Sequence, residues 1–160
     1  MPSVLFVCTA NICRSPLAEV LFRDWLRQQA VPGAWLVGSA GTWAQPGYAA
    51  AEYSQQMASK RGLSLAQHRA RRVEAAMLAA ADVVLCLADT HREALQIEFP
   101  QDAARVHLWT ALAGPSYDVP DPYGGPLSGY AEMAAELQGL IEQTGERIVA
   151  LALERQAAQR

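Results

Sequence analysis

Apolar and polar positions change rhythm repeatedly along this chain. Short, mostly apolar runs at residues 4–7, 35–39, 83–87 and 106–108 alternate with longer stretches where apolar residues recur every three or four positions. Runs of the first kind suit strands buried on both faces, and the second spacing suits amphipathic helices. The helical stretches cover residues 16–29, 49–61, 73–80, 90–98 and 127–154. The last has the clearest stripe, Tyr130, Met133, Ala134, Leu137, Ile141, Ile148 and Leu151, which is expected to pack on a sheet. Strands alternating with helices predict an α/β fold, a parallel sheet with helices on both faces. Ligands of such sheets gather beyond the carboxyl ends of the strands. The loop after the first strand is therefore the first place to look for chemistry.

That loop reads Cys8-Thr9-Ala10-Asn11-Ile12-Cys13-Arg14, and Ser15-Pro16 leads into the helix. Its length lets several backbone N–H groups converge on one point, to which the helix start adds the positive end of its dipole. Such a bowl takes a tetrahedral dianion, with Cys8 beneath it as nucleophile and Arg14 gripping two oxygens through a planar fork. A thiol in that setting is held largely as thiolate at neutral pH. Asn11 belongs to a residue type that tolerates positive φ. Ser15 is an N-cap type, Pro16 fits the first helical position, and the Ser15 hydroxyl lies near enough in sequence to bond the Cys8 sulfur. Thr9, Ala10, Asn11, Ile12, Cys13 and Ser15 are thus expected around the substrate. The chain reads as an enzyme that removes phosphate through a phosphocysteine.

The spacing alone carries little weight, because Cys86 and Arg92 repeat it after another apolar run. Context separates the two. The second loop, Leu87-Ala88-Asp89-Thr90-His91, has no Gly or Asn to bend it, and it places Asp89 where a phosphate would sit. Cys86 is expected to be a buried residue at a strand end.

Residues 8–16 resemble the signature of the low-molecular-weight protein tyrosine phosphatases, Cys-x-x-Asn-x-Cys-Arg-Ser-Pro, throughout. The resemblance extends through Ser39-Ala40-Gly41-Thr42 and His68-Arg69-Ala70-Arg71 to Asp121-Pro122-Tyr123, essentially the whole chain. The family's usual glycine before the asparagine is Ala10 here. If that position needs positive φ, alanine costs about 1 kcal/mol. The resemblance implies a four-stranded parallel sheet, in agreement with the four apolar runs. It also implies Asp121 as general acid, His68 as support for Asn11, and a reversible disulfide between Cys8 and Cys13. Pro120 and Pro122 would stiffen the presentation of the acid, a group typically worth about 10²–10⁴-fold in rate. Tyr123, and Trp43 beyond the Ser39 segment, would wall the pocket and stack on an aromatic substrate. Asp118 reads as a turn residue, and Arg69, Arg71 and Arg72 as a solvated face. His91 and His107 have no partner that the sequence names.

Hydrolysis of protein phosphotyrosine is the favoured reading, because Ile12 is a branched apolar group suited to an aromatic ring. A protein-arginine phosphatase on the same scaffold is the first alternative. A threonine tends to replace Ile12 in that branch, but Gly124-Gly125 after Tyr123 follows its style. A thiol-based arsenate reductase shares the oxyanion loop, yet it needs a further cysteine pair, and Cys86 has no nearby mate. A non-catalytic phosphate binder would have no use for a thiolate and an acid together.

Composition narrows the picture only modestly. The 160 residues, 51% of them hydrophobic, make one domain, 1–160, without membrane-length runs. The three cysteines suggest neither a disulfide scaffold nor a zinc cage, and a reducing cytoplasm fits a catalytic thiol. A net charge of −3 argues against nucleic acid as partner. The chemistry calls for no cofactor or metal. The expected partner is a phosphorylated protein or a small aryl phosphate, and a weak homo-oligomer is left open.

Overall fold

All six residues of the first strand are buried, because that strand occupies the inside of the sheet. In the computed structural model, which describes all residues from Met1 to Arg160, this is β1 (Ser3–Cys8). The order continues α1 (Arg14–Gln28), β2 (Leu36–Gly41), α2 (Glu52–Ser59), α3 (Ala75–Ala80), β3 (Val83–Cys86), α4 (Asp89–Glu98), β4 (Val106–Leu108) and α5 (Leu127–Ala158). The four strands form one parallel sheet in the order β2-β1-β3-β4. Helices lie on both faces, so the expected single α/β domain is the one observed.

Alternation along β1 divides the core in two. Val4, Phe6 and Cys8 face the larger cluster, with Leu17 and Phe22 of α1 and Leu137 and Ile148 of α5. Leu5 and Val7 face a smaller one, with Leu78 of α3 and Leu95 of α4. Phe6 sits edge-on to Phe22 at 5.7 Å between centroids and 5.0 Å from Trp109. The buried Trp109 indole N–H donates to Thr144 Oγ1 at 2.9 Å, so the large ring adds apolar area without an orphaned donor. Burial of one such ring is worth roughly 1.5–3 kcal/mol. α5 approaches α1 closely at Gly145, where a Cβ would lie 2.5 Å from the Trp25 ring.

The element boundaries differ from the sequence pattern where the chain is tied to the first loop. α2 begins at Glu52 rather than residue 49, because Ala51 N–H donates to the Ile12 carbonyl at 2.8 Å. α3 begins at Ala75 rather than residue 73, because Val73 N–H is held by the Gly41 carbonyl at 2.9 Å. α5 runs past residue 154 to Ala158. Two 3₁₀ segments, Pro100–Arg105 and Trp109–Leu112, flank β4 and had no apolar periodicity to announce them. No helix is long and apolar enough to cross a membrane.

Candidate active site

Residues 9–13 separate the end of β1 from the start of α1, and their backbone N–H groups make no hydrogen bond within the protein. Five donors at a helix N-terminus without partners are the raw material of an anion cradle. The curl turns at Asn11, which takes φ 56°, while Ala10 keeps negative φ. The penalty considered for alanine at position 10 therefore does not arise. Gly41 at the end of β2 lets the curl close: a Cβ there would collide with the Thr9 carbonyl oxygen and stand 3.0 Å from Asn11 N. Ser15 is not the helix cap expected from its type. The helix starts two residues earlier, at Arg14, with Cys13 in the cap position and no side-chain capping bond. Pro16 still lies in the first turn, where its missing N–H costs nothing.

The Ser15 hydroxyl is occupied elsewhere, 2.9 Å from the Cys8 sulfur. Ser15 Oγ accepts from Asn11 Nδ2 at 2.8 Å, which leaves its own hydrogen for the sulfur. Asn11 also donates to Ser39 Oγ at 2.9 Å, and Ser39 donates onward to Glu19 Oε2 at 2.6 Å. Asn11 Oδ1 accepts the Arg71 N–H at 3.0 Å, and the Asn11 carbonyl pairs with His68 Nε2 at 2.7 Å. Every polar group of this fully buried asparagine side chain is thus engaged, which fixes the turn. Arg71 is exposed with Arg69 and Arg72, as a solvated face requires, yet its Nε–H also donates to the Ser39 carbonyl at 2.9 Å.

Arg14 is 5% exposed and does not pair with Glu19, which holds Arg23 instead. Its Nη1 donates to the Val119 carbonyl at 3.0 Å, its Nη2 reaches Thr9 Oγ1 at 3.4 Å, and its Nε has no partner. Val119 N–H in turn donates to Leu87 O at 2.9 Å, so the guanidinium and the end of β3 grip the loop that carries the acid. Asp121 Oδ2 lies 3.6 Å from Arg14 Nη2, and its Oδ1 accepts the Tyr123 N–H at 3.1 Å. Asp118 faces away and accepts the Asp89 N–H at 2.8 Å.

A cavity of about 330 Å³ opens over the loop, lined by Cys8, Thr9, Ala10, Ile12, Cys13, Arg14, Trp43, Gln45, Tyr48, Asp121 and Tyr123. The structure therefore brings together the sulfur, the arginine, the acid and both expected aromatic walls. Asn11, Ser15 and His68 stand behind the loop rather than in the cavity. Trp43 is 76% exposed at the rim, with the Arg72 guanidinium 5.7 Å from its ring centroid. Tyr48 and Gln45 complete the rim and carried no motif in the sequence. All three cysteines are free thiols. Burial pushes Cys13 up to about 11, against the opposing hydrogen bond with the Tyr130 hydroxyl at 3.4 Å. His91 also proves to have a partner, Thr9 Oγ1 at 2.8 Å.

Comparison with known proteins agrees with this geometry. The profile of the family described as "Low molecular weight phosphotyrosine protein phosphatase" matches residues 3–156. A protein-arginine-phosphatase of Geobacillus stearothermophilus is 32% identical over 91% of this chain and 95% of its own length. A low molecular weight protein-tyrosine-phosphatase of Streptomyces coelicolor is 35% identical over 91% of this chain and 94% of its own. The crystal structure of a low molecular weight protein tyrosine phosphatase from T. tengcongensis superposes with a TM-score of 0.86 at 36% identity, covering 92% of this chain and 99% of that one.

Proposed function

Because the chain belongs to the low-molecular-weight phosphotyrosine protein phosphatase family, we propose that it hydrolyses a phosphorylated protein side chain through a phosphocysteine on Cys8. One observation carries this reading: a single cavity holds the Cys8 sulfur, unpartnered loop N–H groups, the Arg14 fork and the Asp121 carboxyl. The phosphoryl oxygens sit on the loop amides and on Arg14, in place of the bonds those groups lack. The Ser15 hydroxyl, aimed at the sulfur, suits a thiolate. The thiolate attacks phosphorus, the bond from phosphorus to the leaving oxygen breaks, and Asp121 gives that oxygen its proton. Water then attacks the phosphocysteine while Asp121 takes back a proton. The sulfur–phosphorus bond breaks, and inorganic phosphate and the thiolate are regenerated. The fixed amides and guanidinium need no rearrangement as charge redistributes.

The walls favour phosphotyrosine. Ile12, Trp43, Tyr48 and Tyr123 surround the cavity with apolar and aromatic surface of a kind that stacks on a phenyl ring. Phosphoarginine is the alternative, and the relatives back it better: protein-arginine-phosphatases are 32% and 29% identical to this chain, and Gly124-Gly125 follows Tyr123. Side-by-side turnover of a phosphotyrosine and a phosphoarginine peptide decides between them. The phosphotyrosine reading expects the first to have the higher kcat/KM by at least about tenfold. The reverse ratio moves the assignment to phosphoarginine, and hydrolysis of neither overturns both.

A further inference from the structure

We propose that His91, which belongs to the second Cys-x5-Arg segment, is a positioning residue for phosphoryl transfer: it holds Thr9 so that the Thr9 hydroxyl hydrogen is offered to the bound oxyanion. This role rests on the phosphatase reading. His91 is 4% exposed, and its ring is fixed at both nitrogens. Nδ1 accepts the Ala88 N–H at 3.2 Å, so in the neutral ring the proton sits on Nε2. Nε2 therefore donates to Thr9 Oγ1 at 2.8 Å. The same oxygen accepts from Arg14 Nη2 at 3.4 Å. Two donors occupy the lone pairs of this hydroxyl, and its single hydrogen is left for an acceptor. Thr9 lines the cavity with Cys8, Arg14 and Asp121, where a bound phosphoryl group would supply that acceptor.

The arrangement does more than satisfy a buried histidine. Burial, reinforced by the nearby Arg14 charge, lowers His91 to about 4, so the ring stays neutral and its proton stays on Nε2 through the working range of a phosphatase. Without His91 the Thr9 hydroxyl is free to turn its hydrogen elsewhere, and one contact on Arg14 loosens with it. A donor fixed before substrate arrives acts most strongly where charge develops, so its loss falls on kcat rather than KM.

The test uses the full chain and p-nitrophenyl phosphate, with Thr9→Val, His91→Phe, the double variant and His91→Gln. We expect Thr9→Val and His91→Phe each to lower kcat about 5–20-fold with KM changed less than about twofold. The double variant should be no slower than Thr9→Val alone, and His91→Gln, which restores a donor, should recover at least about half of the lost rate. A His91→Phe enzyme within twofold of the parent overturns the proposal, as do losses that multiply in the double variant. The ring state is read independently of turnover, and of whether the variants fold, from the ¹⁵N shifts of His91 in the unaltered protein. A protonated Nε2 that shifts on addition of inorganic phosphate supports the role, and a protonated Nδ1 overturns it. A parent protein that turns over neither aryl phosphate nor phosphoarginine refutes the phosphatase reading itself, whereas an active parent indifferent to His91→Phe refutes the positioning role alone.

Discussion

Cys8 and Cys86 end adjacent parallel strands, and each is followed six residues later by an arginine, yet only one of the two segments makes a cradle. After Cys8, five residues of loop precede α1, and none of their N–H groups is used within the protein. After Cys86 only Leu87 and Ala88 intervene before α4 begins at Asp89. There the amides are taken: Leu87 donates to Val7 O, Ala88 to His91 Nδ1, Asp89 to the Asp118 carboxylate, and Arg92 to Ala88 O. The Arg92 fork is closed on Asp89, whereas Arg14 is held by a backbone carbonyl and keeps one nitrogen free. Cys86 has no exposed surface, and burial raises its thiol far above the ordinary range. Where the helix begins relative to the cysteine therefore decides between an anion site and a capped strand end. Residue spacing alone does not.

Substitutions made in parallel at the two segments can break this contrast. The largest difference is expected at the cysteines. Cys8→Ser should lower phosphatase turnover by at least about 10⁴-fold while inorganic phosphate still binds, because the cradle is unchanged. Cys86→Ser should leave kcat within about twofold and instead cost roughly 1–3 kcal/mol of stability through a hydroxyl buried among apolar neighbours. Equal kinetic losses in the two variants, measured with p-nitrophenyl phosphate, would dissolve the distinction.

Next comes the pair of aspartates. Asp121→Asn should slow hydrolysis by about 10²–10⁴-fold, most for esters with poor leaving groups, because those depend most on a proton donor. Asp118→Asn, which touches only the second segment, should change kcat less than about threefold. If Asp118→Asn shows the leaving-group dependence instead, the acid has been misassigned.

The smallest effect concerns the residue that joins the two segments. His91 falls from its ordinary 6.5 to about 4 in the folded protein, so between those values the folded state binds fewer protons than the unfolded one. Its contribution to stability is complete above about pH 6.5 and is lost as pH falls toward 4, on the order of 3 kcal/mol in all. Urea unfolding at pH 7.5 and 4.5 should show a smaller acid loss for His91→Phe than for the parent. An identical slope would contradict the assigned shift.

The strands and the nucleophilic loop were legible because each is written in consecutive residues. An apolar run buried on both faces, then Asn11 and Arg14 at fixed offsets, leaves few conformations open. Asp121, His68 and Trp43 came from resemblance to family motifs, since nothing in local spacing brings them to Cys8. What stayed hidden depends on distant pairing. His91 looked solitary because Thr9 lies 82 residues away, and Tyr48 and Gln45 reach the rim through a loop without periodicity. The expected Ser15–Cys8 bond is present, and only the cap reading of Ser15 fails, for a local reason. Its hydroxyl suits a helix cap, but Asn11 and the Cys8 sulfur compete for it and win. The late starts of α2 and α3 follow from backbone bonds to Ile12 and Gly41 that no window of sequence contains.

The bonds that shape the loop reach across 60, 82 and 105 residues, to Arg71, His91 and Val119. A partly folded chain would lack those long tethers, and nothing would hold its first cysteine, the loop amides and the arginine around one point. Chemical competence therefore arrives only with the finished tertiary structure, so a half-made or damaged copy is inert rather than indiscriminate toward phosphorylated targets.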